Sequence, residues 1–93
     1  ALLAALNQHE SHTGPDSDLL RLEYRRELFR WAARQVRPEF QQATWEAFWF
    51  TAVEGRAVED VAEELSKKPG AIYAARSRVI RRIQEKVIEY DEH

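Results

Sequence analysis

Between Glu54 and Lys86 the chain reads EGRAVEDVAEELSKKPGAIYAARSRVIRRIQEK, and this stretch leaves few options for the fold. Val58, Val61, Ala62 and Leu65 recur at i, i+3, i+4 and i+7, which places all four on one face of a helix of about two turns. That face has to be buried. Ser66-Lys67-Lys68 is too polar and too short to be anything except a turn, and Pro69 suits the first position of a second helix, where its missing N–H would have no partner. Ile72, Ala75, Val79, Ile83 and Val87 then recur at threes and fours, leaving Tyr73, Ala74, Ser77, Arg78, Arg81 and Arg82 on the opposite side. One face is apolar and the other basic. A short helix, a tight turn and a longer helix with a basic outer face form the helix-turn-helix pattern, whose second helix enters the major groove of DNA.

The charge is unevenly distributed. The formal net charge is -2, yet residues 66–86 hold seven Lys or Arg (67, 68, 76, 78, 81, 82 and 86) against Glu85 alone, a local balance of +6. Any nucleic-acid surface is therefore confined to the second helix and the turn before it. With 93 residues, 44% of them hydrophobic, and three Trp, the chain suits one small domain. The absence of cysteine excludes a disulfide framework and a thiolate metal site, and agrees with a reducing, cytoplasmic setting. No stretch approaches the roughly 18 apolar residues of a membrane span, and no signal-peptide pattern is present. The chain opens on Ala1 rather than Met, so it is expected to be part of a longer one.

Residues 1–17 open with ALLAAL and pass into a polar run containing Gly14-Pro15, the chemistry of a flexible arm or linker from an upstream domain. ALLAAL reads either as the end of an upstream helix or as a short apolar end. His9 and His12 stand at i, i+3, but a loose arm is a poor metal site, and neither a metal nor a cofactor is expected. The domain itself is expected to span 18–93. Asp16, Ser17 and Asp18 offer an N-cap for a helix reaching about Arg37. Leu20, Tyr24, Leu28, Trp31, Ala32 and Val36 mark its predicted buried stripe, with Arg21, Arg25, Arg30 and Arg34 alternating with Glu23 and Glu27 in solvent. Pro38 stops this helix, and Glu39-Phe40-Gln41 forms a turn. The next helix is expected over about Gln42 to Glu54, with Trp45, Phe48, Trp49, Ala52 and Val53 as the centre of the core and Gly55 as a left-handed end. Leu19, Leu22, Phe29 and Phe50 lie off these stripes and are candidates for an exposed, partner-binding apolar patch. The expected fold is all-α, a four-helix domain with a C-terminal helix-turn-helix and no winged elements.

The string of features from Leu20 to Glu89 resembles region 4 of a bacterial RNA polymerase sigma factor of the extracytoplasmic-function (ECF) group. That family places a proline-started helix before an acidic-glycine corner, then an Ile/Val-Ala-x-x-Leu helix, a turn, and a Gly-Thr-Val-type start to an Arg-rich recognition helix. Here the same order reads Pro38, Glu54-Gly55, Val61-Ala62-x-x-Leu65, Gly70-Ala71-Ile72 and Arg76-x-Arg78. The resemblance implies recognition of the promoter minus-35 element as double-stranded DNA, docking on the β flap of the polymerase core, an anti-sigma partner covering the same surfaces, and no catalytic task. Two departures stand out. Tyr73, Ala74 and Ala75 occupy the first turns of the second helix, where the family commonly carries Lys or Arg and then Ser-Arg, and Ala57 replaces the usual Ser/Thr cap, so the first helix of the motif is expected to fray. The part of the family that melts the minus-10 element has no counterpart in these 93 residues, which alone are not expected to start transcription.

Within that frame Lys67, Lys68, Gly70, Ala71, Arg81 and Arg82 are the expected phosphate contacts, the glycine and alanine through N–H groups at the helix start. Tyr73, Ala74, Arg76, Ser77 and Arg78 are the expected base-edge readers, with Arg76 or Arg78 the candidate for bidentate contact to guanine. Tyr and Ala meet a thymine methyl but discriminate weakly, so part of the specificity is expected from DNA shape. Glu59, Asp60, Glu63 and Glu64 form an acidic face that, lacking a cleft, a His partner or a Gly-rich loop, reads as solvated rather than catalytic, and no small-molecule substrate is expected. The alternatives are another helix-turn-helix regulator of the response-regulator output type, or a protein-interaction module that no longer reads DNA and binds a partner helix through a Trp-rich groove.

Overall fold

The computed structural model describes residues 15–91. Helix α1 (Pro15–Val36) leads through a 3-10 turn (Arg37–Glu39) to α2 (Gln42–Phe48), which runs into a π turn (Trp49–Val53); α3 (Val58–Glu64) and α4 (Pro69–Asp91) complete the fold. All regular structure among the described residues is helical, and the last two helices form a helix-turn-helix. Residues 1–14, with His9 and His12, lie outside the described residues, so the expected arm is met only at Pro15–Ser17, which belong to α1.

Pro38 ends α1 one residue before the expected Arg37, which instead opens the 3-10 turn. At its other end α1 begins at Pro15, ahead of the expected start at Asp16–Asp18. Burial along α1 starts only at Leu28 and continues through Ala32, Ala33 and Val36. The stripe predicted for Leu20 and Tyr24 is not buried there: they are 71% and 51% exposed. The reason is reach. Tyr90, at the end of α4, meets the Trp31 ring at 5.2 Å, so the first turns of α1 extend past the end of the helix that packs on it.

In α2 the α spacing holds for Trp45 and Phe48 and then fails. Ala52 is exposed and Val53 is 43% exposed, whereas Ala47 and Thr51 are buried. The π turn causes the change, because each i→i+5 step carries one residue more than an α turn and rotates Ala52 and Val53 off the core face. Thr51 can enter the core because its hydroxyl donates to the Ala47 carbonyl at 2.7 Å. Gly55 takes the left-handed conformation expected of it, φ 72°, and Arg56 N–H closes the corner on the Phe50 carbonyl at 2.9 Å.

The α3–α4 turn is a Schellman motif: Lys67 N–H donates to Ala62 carbonyl at 2.8 Å and Ser66 N–H to Glu63 carbonyl at 3.2 Å. Ser66 occupies the left-handed position, φ 56°, which glycine usually fills. Relief of that strain is worth about 1–2 kcal/mol, and the extra freedom of an unfolded glycine takes back about 0.4–1 kcal/mol. Ser66→Gly is therefore expected to stabilise the domain modestly, read as a higher urea midpoint at unchanged slope.

Two apolar clusters share α2 and α4. Leu28, Ala32 and Val36 of α1 join Trp45 and Phe48 of α2 and Val79, Ile83 and Val87 of α4, while Ala47 of α2 joins Val58, Val61 and Ala62 of α3 and Ile72 and Ala75 of α4. One seam of α4 is thus held from both ends of the domain. Its opposite face is left to solvent.

Candidate nucleic-acid interface

Anchoring the α4 seam determines what the helix presents outward. Tyr73, Ser77 and Arg81 follow one another at i, i+4 and i+8, with Ala74 and Arg78 alongside, and all five are exposed, Tyr73 by 52%. Lys67 and Lys68, in the turn, and Gly70 and Ala71, in the first turn of α4, are exposed as well. Apart from Tyr73 the leading part of this face is small, which lets a ligand approach the helix backbone closely. A Cβ on Gly70 would meet nothing within 4 Å, so that surface is open.

Three of the expected contacts are placed differently. Arg76 is four residues from Ile72 and three from Val79, on the core side of α4, and is half-buried, whereas Arg78 stands on the exposed face. Ala71 N–H already donates to the Lys68 carbonyl at 2.9 Å, in a tight first turn, which leaves the Gly70 N–H as the one to offer an anion. Arg82 is half-buried and bonded to Glu39, its Nε at 2.7 Å and Nη2 at 3.1 Å from the two carboxylate oxygens. By contrast Lys67, Lys68, Arg78 and Arg81 make no ion pair among the described residues. An array of uncompensated cations around small side chains on an exposed helix is suited to a polyanion.

The motif's first helix is held by an unanticipated residue. Ala57 supplies no side-chain cap, as its chemistry requires. Arg56 stacks on the Phe50 ring at 4.8 Å and reaches across α3 to Glu64, with Nη2 at 2.6 Å from Oε1. These hydrogen bonds hold the Glu64 carboxylate below its ordinary pKa. The pair therefore supports the fold above the usual glutamate range and loses that support as acid protonates Glu64. A cap residue is recognisable from sequence, whereas an arginine spanning eight positions across a corner is not.

A second surface lies away from α4. A cleft of about 620 Å³ opens between α1 and the α2–π segment, with Phe29, Ala33, Trp45, Trp49 and Phe50 as its apolar lining and Arg30, Arg34, Arg37, Glu46 and Glu54 completing it. Of the four residues expected to form an apolar patch, Phe29 and Phe50 line this cleft while packing on the core, Leu22 is half-buried, and Leu19 is 59% exposed on the first part of α1. No residue of α3 or α4 lines it. Comparison with family models, with curated proteins and with solved structures gives no match. No group of three or more metal-ligating side chains occurs among the described residues, and no described helix is long and apolar enough to cross a membrane.

Proposed function

We propose that this chain is a transcription-initiation module of the kind it resembles, ECF sigma factor region 4: a cytoplasmic, non-catalytic domain that reads the promoter minus-35 element as duplex DNA and docks on the polymerase β flap. The observation that carries this reading is the outward face of α4, where Lys67, Lys68, Arg78 and Arg81 surround Tyr73, Ala74 and Ser77 without ion pairs among the described residues. Phosphate contacts from Lys67, Lys68 and Arg81 supply affinity and position, while Arg78, Tyr73 and Ser77 meet base edges. Arg81 follows the groove edge, and Gly70 offers its N–H to a phosphate at the helix start.

The cleft supports the second half of the proposal. Its apolar floor of Trp and Phe with a charged rim suits an amphipathic helix laid in a groove, the mode by which the β flap would be held. An anti-sigma protein would act by covering either surface. Because the cleft and the α4 face share no residue, the domain is expected to hold a flap fragment and a promoter duplex together. Fluorescence anisotropy of a labelled duplex, titrated with the domain and then with the isolated flap fragment, reads this directly. A further rise on adding the fragment is the expected result. Displacement of the duplex, or no binding of either ligand, contradicts it.

A further inference from the structure

Among the described residues, Arg82 is a basic side chain of α4 that the fold ties to an acid outside the motif. Its guanidinium meets Glu39 through two hydrogen bonds, 2.7 and 3.1 Å, across 43 positions of sequence, and lies 3.7 Å from Glu85. Arg82 stands one helical turn beyond Arg78, on the same flank of α4, and so continues the track that Arg78 begins. Glu39 comes from outside the motif, at the end of the 3-10 turn that joins α1 to α2. That turn is anchored by Pro38 and by the Phe40 N–H bond to the Arg37 carbonyl at 3.2 Å, so the carboxylate is presented by a short, fixed piece of backbone.

We propose that Glu39 is a positioning residue of the DNA surface, which holds Arg82 off the phosphate track and confines the duplex to the part of α4 up to Arg81. This rests on the reading of α4 as a DNA-binding helix. A guanidinium engaged by both oxygens of one carboxylate has its charge matched and its planar donors directed at that acid, and a phosphate must displace Glu39 to recruit it. Lys67, Lys68, Arg78 and Arg81 carry no such cost. The positive field is thereby concentrated at the start of α4, where Tyr73, Ala74 and Ser77 are exposed, and the helix is kept from sliding along the groove into a register centred on Arg82.

The test is the salt dependence of binding to one duplex for the wild-type chain, Glu39→Gln, Arg82→Ala and the double variant, with thermal unfolding of each as a folding control. A phosphate contact adds about 0.9 to the slope of log K against log salt. Glu39→Gln is expected to bind more tightly and to steepen the slope by about that amount, an extra loss of about 3.5-fold between 50 and 200 mM salt. Arg82→Ala is expected to leave the wild-type slope unchanged, and the double variant to return to it. A shallower slope in Arg82→Ala, or a gain by Glu39→Gln that survives in the double variant, overturns the assignment while leaving the DNA reading intact. Absence of salt-dependent binding in all four proteins overturns the DNA reading, and this inference with it.

Discussion

Phe48→Ala is expected to remove about 3–5 kcal/mol of folding stability, a large share of what a small domain has. Phe48 is fully buried, and its ring lies 5.2 Å from that of Trp45 and 6.5 Å from that of Trp49. It belongs to the cluster that joins α1, α2 and α4, so truncation opens a void on three sides at once. The surrounding helices cannot all move inward to fill it. A domain of this size is stable by roughly 5–10 kcal/mol, so the variant loses between about a third and all of its stability. Urea unfolding followed by far-ultraviolet circular dichroism gives the number. A cost under about 0.5 kcal/mol, typical of a surface position, would show that the three helices do not meet at Phe48.

Arg78→Ala with Arg81→Ala is expected to weaken duplex binding on a scale of tens of fold with little change in folding, because both side chains are exposed and neither makes an ion pair among the described residues. The magnitude follows from counterion release. Three cations on phosphates, Lys67, Lys68 and Arg81, give a slope of log K against log salt of roughly -2.7, which is about a 42-fold loss between 50 and 200 mM. Without Arg81 the slope falls to roughly -1.8 and the loss to about 12-fold, and the missing Arg78 base contact costs about 1–3 kcal/mol more. Both salts are needed, since a general change in shape would lower affinity without reducing the slope. An unchanged slope would place the duplex elsewhere on the molecule.

The α4 seam was legible because a regular helix obeys a single period: Ile72, Ala75, Val79, Ile83 and Val87 are all buried as the spacing requires. Pro38, Gly55 and Pro69 marked the corners for reasons of backbone geometry that hold without tertiary context. Leu20 and Tyr24 show a limit of the same reasoning, since a periodic stripe reports which side of a helix is apolar but not how far its neighbour extends. The π turn defeated the assignment of Ala52 and Val53 for a different reason, because the α period is assumed in reading the pattern. At the candidate site the exposed set around Tyr73, Ser77 and Arg78 followed from the seam, whereas the engagement of Arg82 did not. Its partner Glu39 is 43 residues away, and nothing local marks the pair.

The central claim is that the exposed face of α4 reads duplex DNA, and selection from a randomised duplex pool tests it most directly. The selected sequences are then measured at two salt concentrations with the wild-type chain and with the Arg78→Ala, Arg81→Ala variant. Enrichment of a short motif, bound with steep salt dependence and lost in the variant, is the result predicted here. No enrichment and no salt-dependent binding would contradict it, and would leave the Trp-lined cleft between α1 and the α2–π segment as the functional surface of a protein-interaction module.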